Sequence, residues 1–201
     1  MAMSGVAWWT TDIGGFKGGD IGDPAFHELF IRWFQFGCFS PVMRLHGFRQ
    51  DKARDPRFGH EFSFGGADNE VWSMGPEVEA IARTYLELRQ TLRPYLVAAM
   101  QAAHDTGMPL LRPLALAFPD DAAAIDVDDA YMFGPDLLVA PVTQSGARAR
   151  QVYLPSGPEW RCFWTDRRLE GGQNITVDAQ LERIPVFVAG KRPSTPEPVD
   201  L

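Results

Sequence analysis

Apolar residues in the first quarter of the chain recur with two different spacings. Residues 4–12, containing GVAWW, form an apolar run without polar alternation that stops at Gly14 and Gly15, which predicts a buried strand. After a loop to Gly22, Asp23 has the chemistry of a helix N-cap and Pro24 stands at the first helical position. Phe26, Leu29, Phe30, Trp33 and Phe34 then recur at helical spacing, predicting a helix that ends at about Gly37. SPVMRLHG, residues 40–47, is a second short apolar run closed by glycine. Strand, helix and strand in so short a span make a βαβ unit, with parallel strands and a right-handed crossover.

Residues 48–75, rich in Arg, Asp, Gly and Phe, read as a long loop, and loops of that length in compact domains are usually functional or disordered. A functional loop beside a site is the reading adopted. Gly75 and Pro76 open a longer helix whose apolar face is Val78, Ile81, Tyr85, Leu88 and Leu92; Pro94 should bend it, and Gly107 should cap its C-terminus. From Met108 the spacing changes to short strand-like runs, LLRPLALAF, YMFGPDLLVAPV, RQVYLP, EWRCFWTD, GGQNITVD and IPVFVAG, separated by Gly, Pro and Asp. That pattern predicts an antiparallel sheet or sandwich. The tail KRPSTPEPVDL, residues 191–201, is polar and proline-rich and is expected to be a disordered tail or linker.

Composition narrows the chemistry. A chain of 201 residues that is 45% hydrophobic and 22% charged is globular rather than disordered. Its net charge of -7, with no basic run, argues against a nucleic-acid surface and for a neutral partner. No apolar run reaches about 18 residues, so no membrane span is expected. The opening MAMSGVAWW lacks the basic region of a signal peptide. Cys38 and Cys162 stand far apart in apolar settings and read as free thiols, and His27, His46, His60 and His104 show no ligand spacing, so neither metal nor cofactor is expected. GGFKGGD lacks the spacing and the trailing hydroxyl residue of a phosphate-binding loop. The aspartates at 120, 121, 126, 128 and 129 read as a solvated acidic stretch, and Asn174 as a turn residue rather than a glycosylation site.

In parallel α/β architectures functional side chains project from the carboxyl ends of strands. Asp12 ends the first predicted strand and Arg44 and His46 end the second, so all three should face one side. Carboxylate and imidazole suit the hydroxyls of a polyol ligand. A turn-capping aspartate and a structural histidine would fit the same spacing.

WWTTDIGGF, ELFIRWFQFGCFSPVMRLHG, RQTLRPYL, RPLALAFPDD and YMFGPDLLVAPV resemble, in order, the C-terminal part of the catalytic region of glycoside hydrolase family 31, a family of α-glucosidases, α-xylosidases and transglycosylases. The resemblance covers residues 4–190. It implies an α/β fold over residues 1–107: the C-terminal portion of a (β/α)8 barrel, with strands seven and eight and the closing helix. A small all-β sandwich domain follows over residues 108–190. It further implies that Asp12, Phe16, Arg44 and His46 line the subsite for the non-reducing-end sugar, with Trp9 a further candidate whose neighbour Trp8 points to the opposite face. The nucleophile and the acid/base aspartates of such a retaining enzyme are expected upstream of Met1, so the chain reads as a fragment that binds an α-linked glucoside or xyloside without a catalytic carboxylate of its own. A transglycosylase of the same family, or a carbohydrate-binding module without catalysis, are the alternatives.

Overall fold

The computed structural model describes residues 1–15, 19–46 and 68–190. The first predicted strand is not built as one. A 3-10 turn, Ala2–Ser4, opens the chain, and residues 6–12 run on without a regular ladder. What remains of the βαβ unit is a parallel bridge, Ile13 with Leu45. It is held by Ile13 N–H to the Arg44 carbonyl at 3.2 Å and His46 N–H to the Ile13 carbonyl at 3.4 Å, with Val42 N–H to the Trp9 carbonyl at 3.3 Å in the same register. The parallel sense was predicted; among the described residues of the two predicted strands, 4–12 and 40–46, no regular strand forms. Parallel strands are stable when neighbours cover both sides, and two alone have too little to hold them straight.

Between the two halves of this ladder lies α1, Pro24–Cys38, capped by the Asp23 carboxylate on the Ala25 N–H at 2.9 Å, as its sequence predicts. Gly37 does not terminate it. The helix runs one residue further, and a Cβ at Gly37 would lie 2.4 Å from Ile13 Cδ1, so this glycine lets the ladder press directly on the helix backbone. The Arg89 guanidinium then takes up the carbonyls of Cys38 and Ser40, each at 2.7 Å, and of Pro41 at 2.9 Å, supplying donors where the helix itself has run out of them.

The long helix is two helices, α2, Pro76–Thr91, and α3, Arg93–Thr106. Pro94 has no N–H for the preceding turn and its ring crowds that turn, so the helix stops and restarts at Leu92 rather than bending smoothly. Gly107 caps α3 in the left-handed conformation, as predicted.

The β-rich part holds β1, Leu111–Pro113, and the short helix α4, Leu114–Ala117, in place of the single strand expected for LLRPLALAF, and then a second short helix, α5, Ala122–Ile125. The remaining strands are β2, Tyr131–Phe133, β3, Leu137–Val139, β4, Ala149–Leu154, β5, Trp160–Cys162, β6, Arg168–Leu169, β7, Gln173–Asp178, and β8, Val186–Ala189. They form an antiparallel six-stranded sheet in the order β1-β2-β3-β8-β5-β6 and a two-stranded sheet of β4 and β7. Alternation sorts the six-stranded sheet. Tyr131, Phe133, Leu137, Val139, Val186 and Val188 pack with Phe30, Phe34, Tyr85, Leu88 and Leu96 of the helices. Met132, Leu138 and Phe187 face the other way and pack with Val152, Leu154 and Trp160 beneath the small sheet. Every residue of β2 and β3 is buried because the sheet is covered on both sides there. The structure is thus an α/β segment followed by a β-sandwich whose larger sheet lies on the helices. The tail, residues 191–201, lies outside the described residues.

Candidate functional site

Asp12 lies directly across the parallel ladder from Arg44, because Ile13 is bridged to Leu45. Opposite residues of a ladder share a face, and so do residues two apart on one strand, which brings Asp12, Arg44 and His46 together. Arg44 Nη2 ion-pairs with Asp12 Oδ1, and His46 Nε2 lies 3.9 Å from Asp12 Oδ2. All three side chains remain partly open to solvent, Arg44 the most at 54%. They make a cluster that can accept hydrogen bonds through a carboxylate and donate them through a guanidinium and an imidazole. That donor and acceptor set matches vicinal hydroxyls.

The alternate face belongs to the fold. Trp9 packs against Phe36 of α1 with ring centroids 6.2 Å apart, Thr11 accepts from Trp33 Nε1 at 2.9 Å, and Ile13 is buried against Gly37. Trp9 therefore does not join Asp12, Arg44 and His46; it faces the helix. Trp8 is 55% exposed. Phe16 lies outside the described residues.

Asn69, from the segment read as a loop, was missed. It is 5% exposed, and its Nδ2 donates to the carbonyls of Ile13 at 3.1 Å and His46 at 3.0 Å. The length of the loop was a signal that it serves a site. An asparagine that binds main-chain carbonyls leaves no pattern of its own in sequence.

A groove of about 900 Å³ opens elsewhere, between α1 and the β2–β3 region, lined by Leu29, Trp33, Phe36, Val127 and Pro141 among others and not by Asp12, Arg44 or His46. Among the described residues no group of three or more His, Cys, Asp or Glu is placed to hold a metal ion, and no helix is long and apolar enough to cross a membrane.

Comparison with known proteins agrees with this layout. Residues 1–99 match the model of the glycosyl hydrolases family 31 TIM-barrel domain, and residues 107–192 match that of the glycosyl hydrolase family 31 C-terminal domain. The chain is 37% identical to an alpha-xylosidase of Saccharolobus solfataricus, over 93% of this chain and 23% of that protein. It is 34% identical to alpha-glucosidase 2 of Bacillus thermoamyloliquefaciens, over 94% of this chain and 21% of that protein. Among solved structures, a GH31 alpha-xylosidase from a soil metagenome, complexed with xylose, superposes with a TM-score of 0.87 at 54% identity, over 96% of this chain and 29% of that one. The chain thus spans between a fifth and a third of the length of these relatives.

Proposed function

Because this chain belongs to glycosyl hydrolase family 31, we propose that it supplies the C-terminal part of the catalytic barrel, residues 1–107, and the sandwich behind it, residues 108–190, to a retaining α-glycosidase acting on α-xylosides. The observation that carries the reading is the meeting of Asp12, Arg44 and His46 on one face at the carboxyl end of a parallel ladder. The exposed Trp8 and Val42 suit segments over which the further strands of a closed barrel lie. Xylosides are favoured over glucosides because the xylose-complexed structure is 54% identical to this chain, whereas alpha-glucosidase 2 is 34% identical.

In a retaining mechanism one carboxylate attacks the anomeric carbon while a second carboxylic acid, about 5–5.5 Å away, protonates the leaving oxygen; water then resolves the glycosyl-enzyme with the second group acting as base. Both of these carboxyl groups come, in this reading, from polypeptide outside residues 1–201. Asp12 accepts from sugar hydroxyls, Arg44 holds that carboxylate and donates beside it, and His46 completes the ring of polar groups. Phe16 is proposed to close the subsite. These contacts accelerate the reaction only as far as they tighten when the sugar ring flattens toward the transition state. A transglycosylase would share every one of these steps but the last, in which a sugar hydroxyl takes the place of water.

The test is a chimera in which residues 1–190 replace the matching segment of the soil-metagenome alpha-xylosidase. It is expected to hydrolyse an aryl α-xyloside. Asp12→Ala and His46→Ala should each lower kcat/KM by about 10²–10³, the cost of removing a preorganised polar contact. Undiminished turnover in both variants would overturn the assignment.

A further inference from the structure

We propose that Asn69 is the positioning residue of this site, replacing a missing rung of the ladder and so holding Asp12 and His46 in register; its bearing on sugar binding rests on the function proposed above. In the register set by Ile13 and Leu45, Ile13 N–H donates to the Arg44 carbonyl, and the next rung would run from Gly15 N–H to the His46 carbonyl. That rung is not made. The chain turns out of the ladder at Gly14 and Gly15, both at positive φ, and Gly15 N–H goes instead to the Asp12 carbonyl at 2.7 Å. The turn places Asp12 at the very tip of its strand. It also strips the His46 carbonyl of its ladder donor.

Asn69 supplies that donor. One side-chain amide reaches both strands, through the Ile13 carbonyl on one and the His46 carbonyl on the other, each the immediate neighbour of a site residue or its own backbone. The seat is tight: a Cβ on Gly14 would come within 2.2 Å of Asn69 Oδ1, so the turn beside Asn69 has room for glycine and not for a side chain. Asn69 is itself fixed from behind, since its N–H donates to the Glu70 carboxylate at 3.1 Å, which also accepts from Ser73 Oγ at 3.1 Å. Without Asn69, the buried Ile13 carbonyl and the part-buried His46 carbonyl each lose a donor, and the tips are left with the long His46 N–H to Ile13 carbonyl bond at 3.4 Å as their last rung. Asp12 and His46 would then be held less firmly in register.

The first experiment needs no assumption about activity. Amide hydrogen exchange is followed by NMR in the 201-residue chain and in Asn69→Ala. Exchange at Ile13 and His46 should rise by about tenfold or more while the amides of α1 and β3 keep their rates. A uniform rise, no rise, or unprotected Ile13 and His46 amides in the unsubstituted chain would each overturn the proposal. The second experiment uses the chimera. Asn69→Ala should lower kcat/KM by about 10²-fold, the scale of an ångström of misplacement. Tyr95→Phe, which removes a part-buried hydroxyl bonded to the Phe133 carbonyl and not to any residue of the site, should lower the melting temperature without that kinetic loss. Equal kinetic losses in the two variants would show a general loss of stability and sink the positioning role. An inactive unsubstituted chimera would count against the glycosidase reading alone, because the exchange result stands without it.

Discussion

At the scale of single residues, several buried polar side chains among the described residues hold main chain together. Tyr85 is fully buried, donates to the Glu182 carbonyl at 3.0 Å and accepts from Ile184 N–H at 3.0 Å, tying α2 to the loop before β8. Tyr131 donates to the Phe39 carbonyl at 2.9 Å across the same junction. Arg32 is 7% exposed and gives its guanidinium to the carbonyls of Ala179 at 2.7 Å and Gln180 at 2.9 Å. The buried carbonyls of Ala179 and Phe39 would otherwise lack a donor, at a cost of about 1–3 kcal/mol apiece. Cys38 sits in this same packed region, where burial pushes its thiol up to about 12. The thiol is therefore neutral at ordinary pH, and the thiolate is the reactive form. Iodoacetamide at about pH 8 should leave Cys38 unmodified in the folded chain; labelling as fast as in a denatured control, read by mass spectrometry, would show that the core opens.

At the scale of elements, helix ends are where the sequence and the structure agree most closely. Asp23, Pro24 and Gly107 do what their chemistry predicts, because a cap is a local interaction with the next few residues. Asp121 caps α5 in the same way but also reaches across to β4 and the turn that follows it. It accepts from Ser156 N–H at 2.7 Å, from Tyr153 Oη and Ser156 Oγ at 2.9 Å, and from Ala123 N–H at 3.1 Å. The Ser156 N–H above all, with the Tyr153 and Ser156 hydroxyls, holds its carboxyl below the usual aspartate range against a smaller opposing effect of burial. A lowered folded value means stability that is present above the unfolded pKa of about 3.9 and is lost as pH falls through the folded one. Asp121→Asn keeps an acceptor for the cap but removes that charge. Its melting temperature should lie below that of the unsubstituted chain at neutral pH and converge with it in acid, measured between about pH 2 and pH 7. Parallel melting curves at every pH would show that Asp121 adds nothing through its charge.

At the scale of the whole molecule, the two family segments share one core. Tyr131, Phe133, Leu137, Val139, Val186 and Val188 of the large sheet pack in the same cluster as Phe30, Phe34, Tyr85 and Leu96 of the helices. Residues 107–190 expressed alone would expose that entire sheet face to water, and an exposed apolar face of this kind drives association or loss of fixed packing. Dye binding and weak near-ultraviolet dichroism are expected for this piece, and a single cooperative transition for the full chain. A well-packed, monomeric piece from 107 to 190 would show that the sandwich is independent of the helices.

Much of this was legible in the residues. Helices follow from the spacing of Phe26, Phe30 and Phe34 and from the caps at Asp23 and Gly107, which act within a turn or two, while at Pro94 the bend expected of one helix is a break between two. The strand alternation in β2, β3 and β8 was hidden, since a sheet covered on both faces is apolar at every position. The quoted motifs placed the chain in its family and named Asp12, Arg44 and His46 as neighbours. Tertiary structure decided what depends on contacts between distant segments: Trp9 turned to the helix and not to Asp12, Gly37 used for close approach and not as a stop, and Asn69 tying two strand tips. The physical reason is range. Spacing and capping are written into consecutive residues, whereas the face a strand presents and the carbonyl a buried amide meets are set only when the chain has packed on itself.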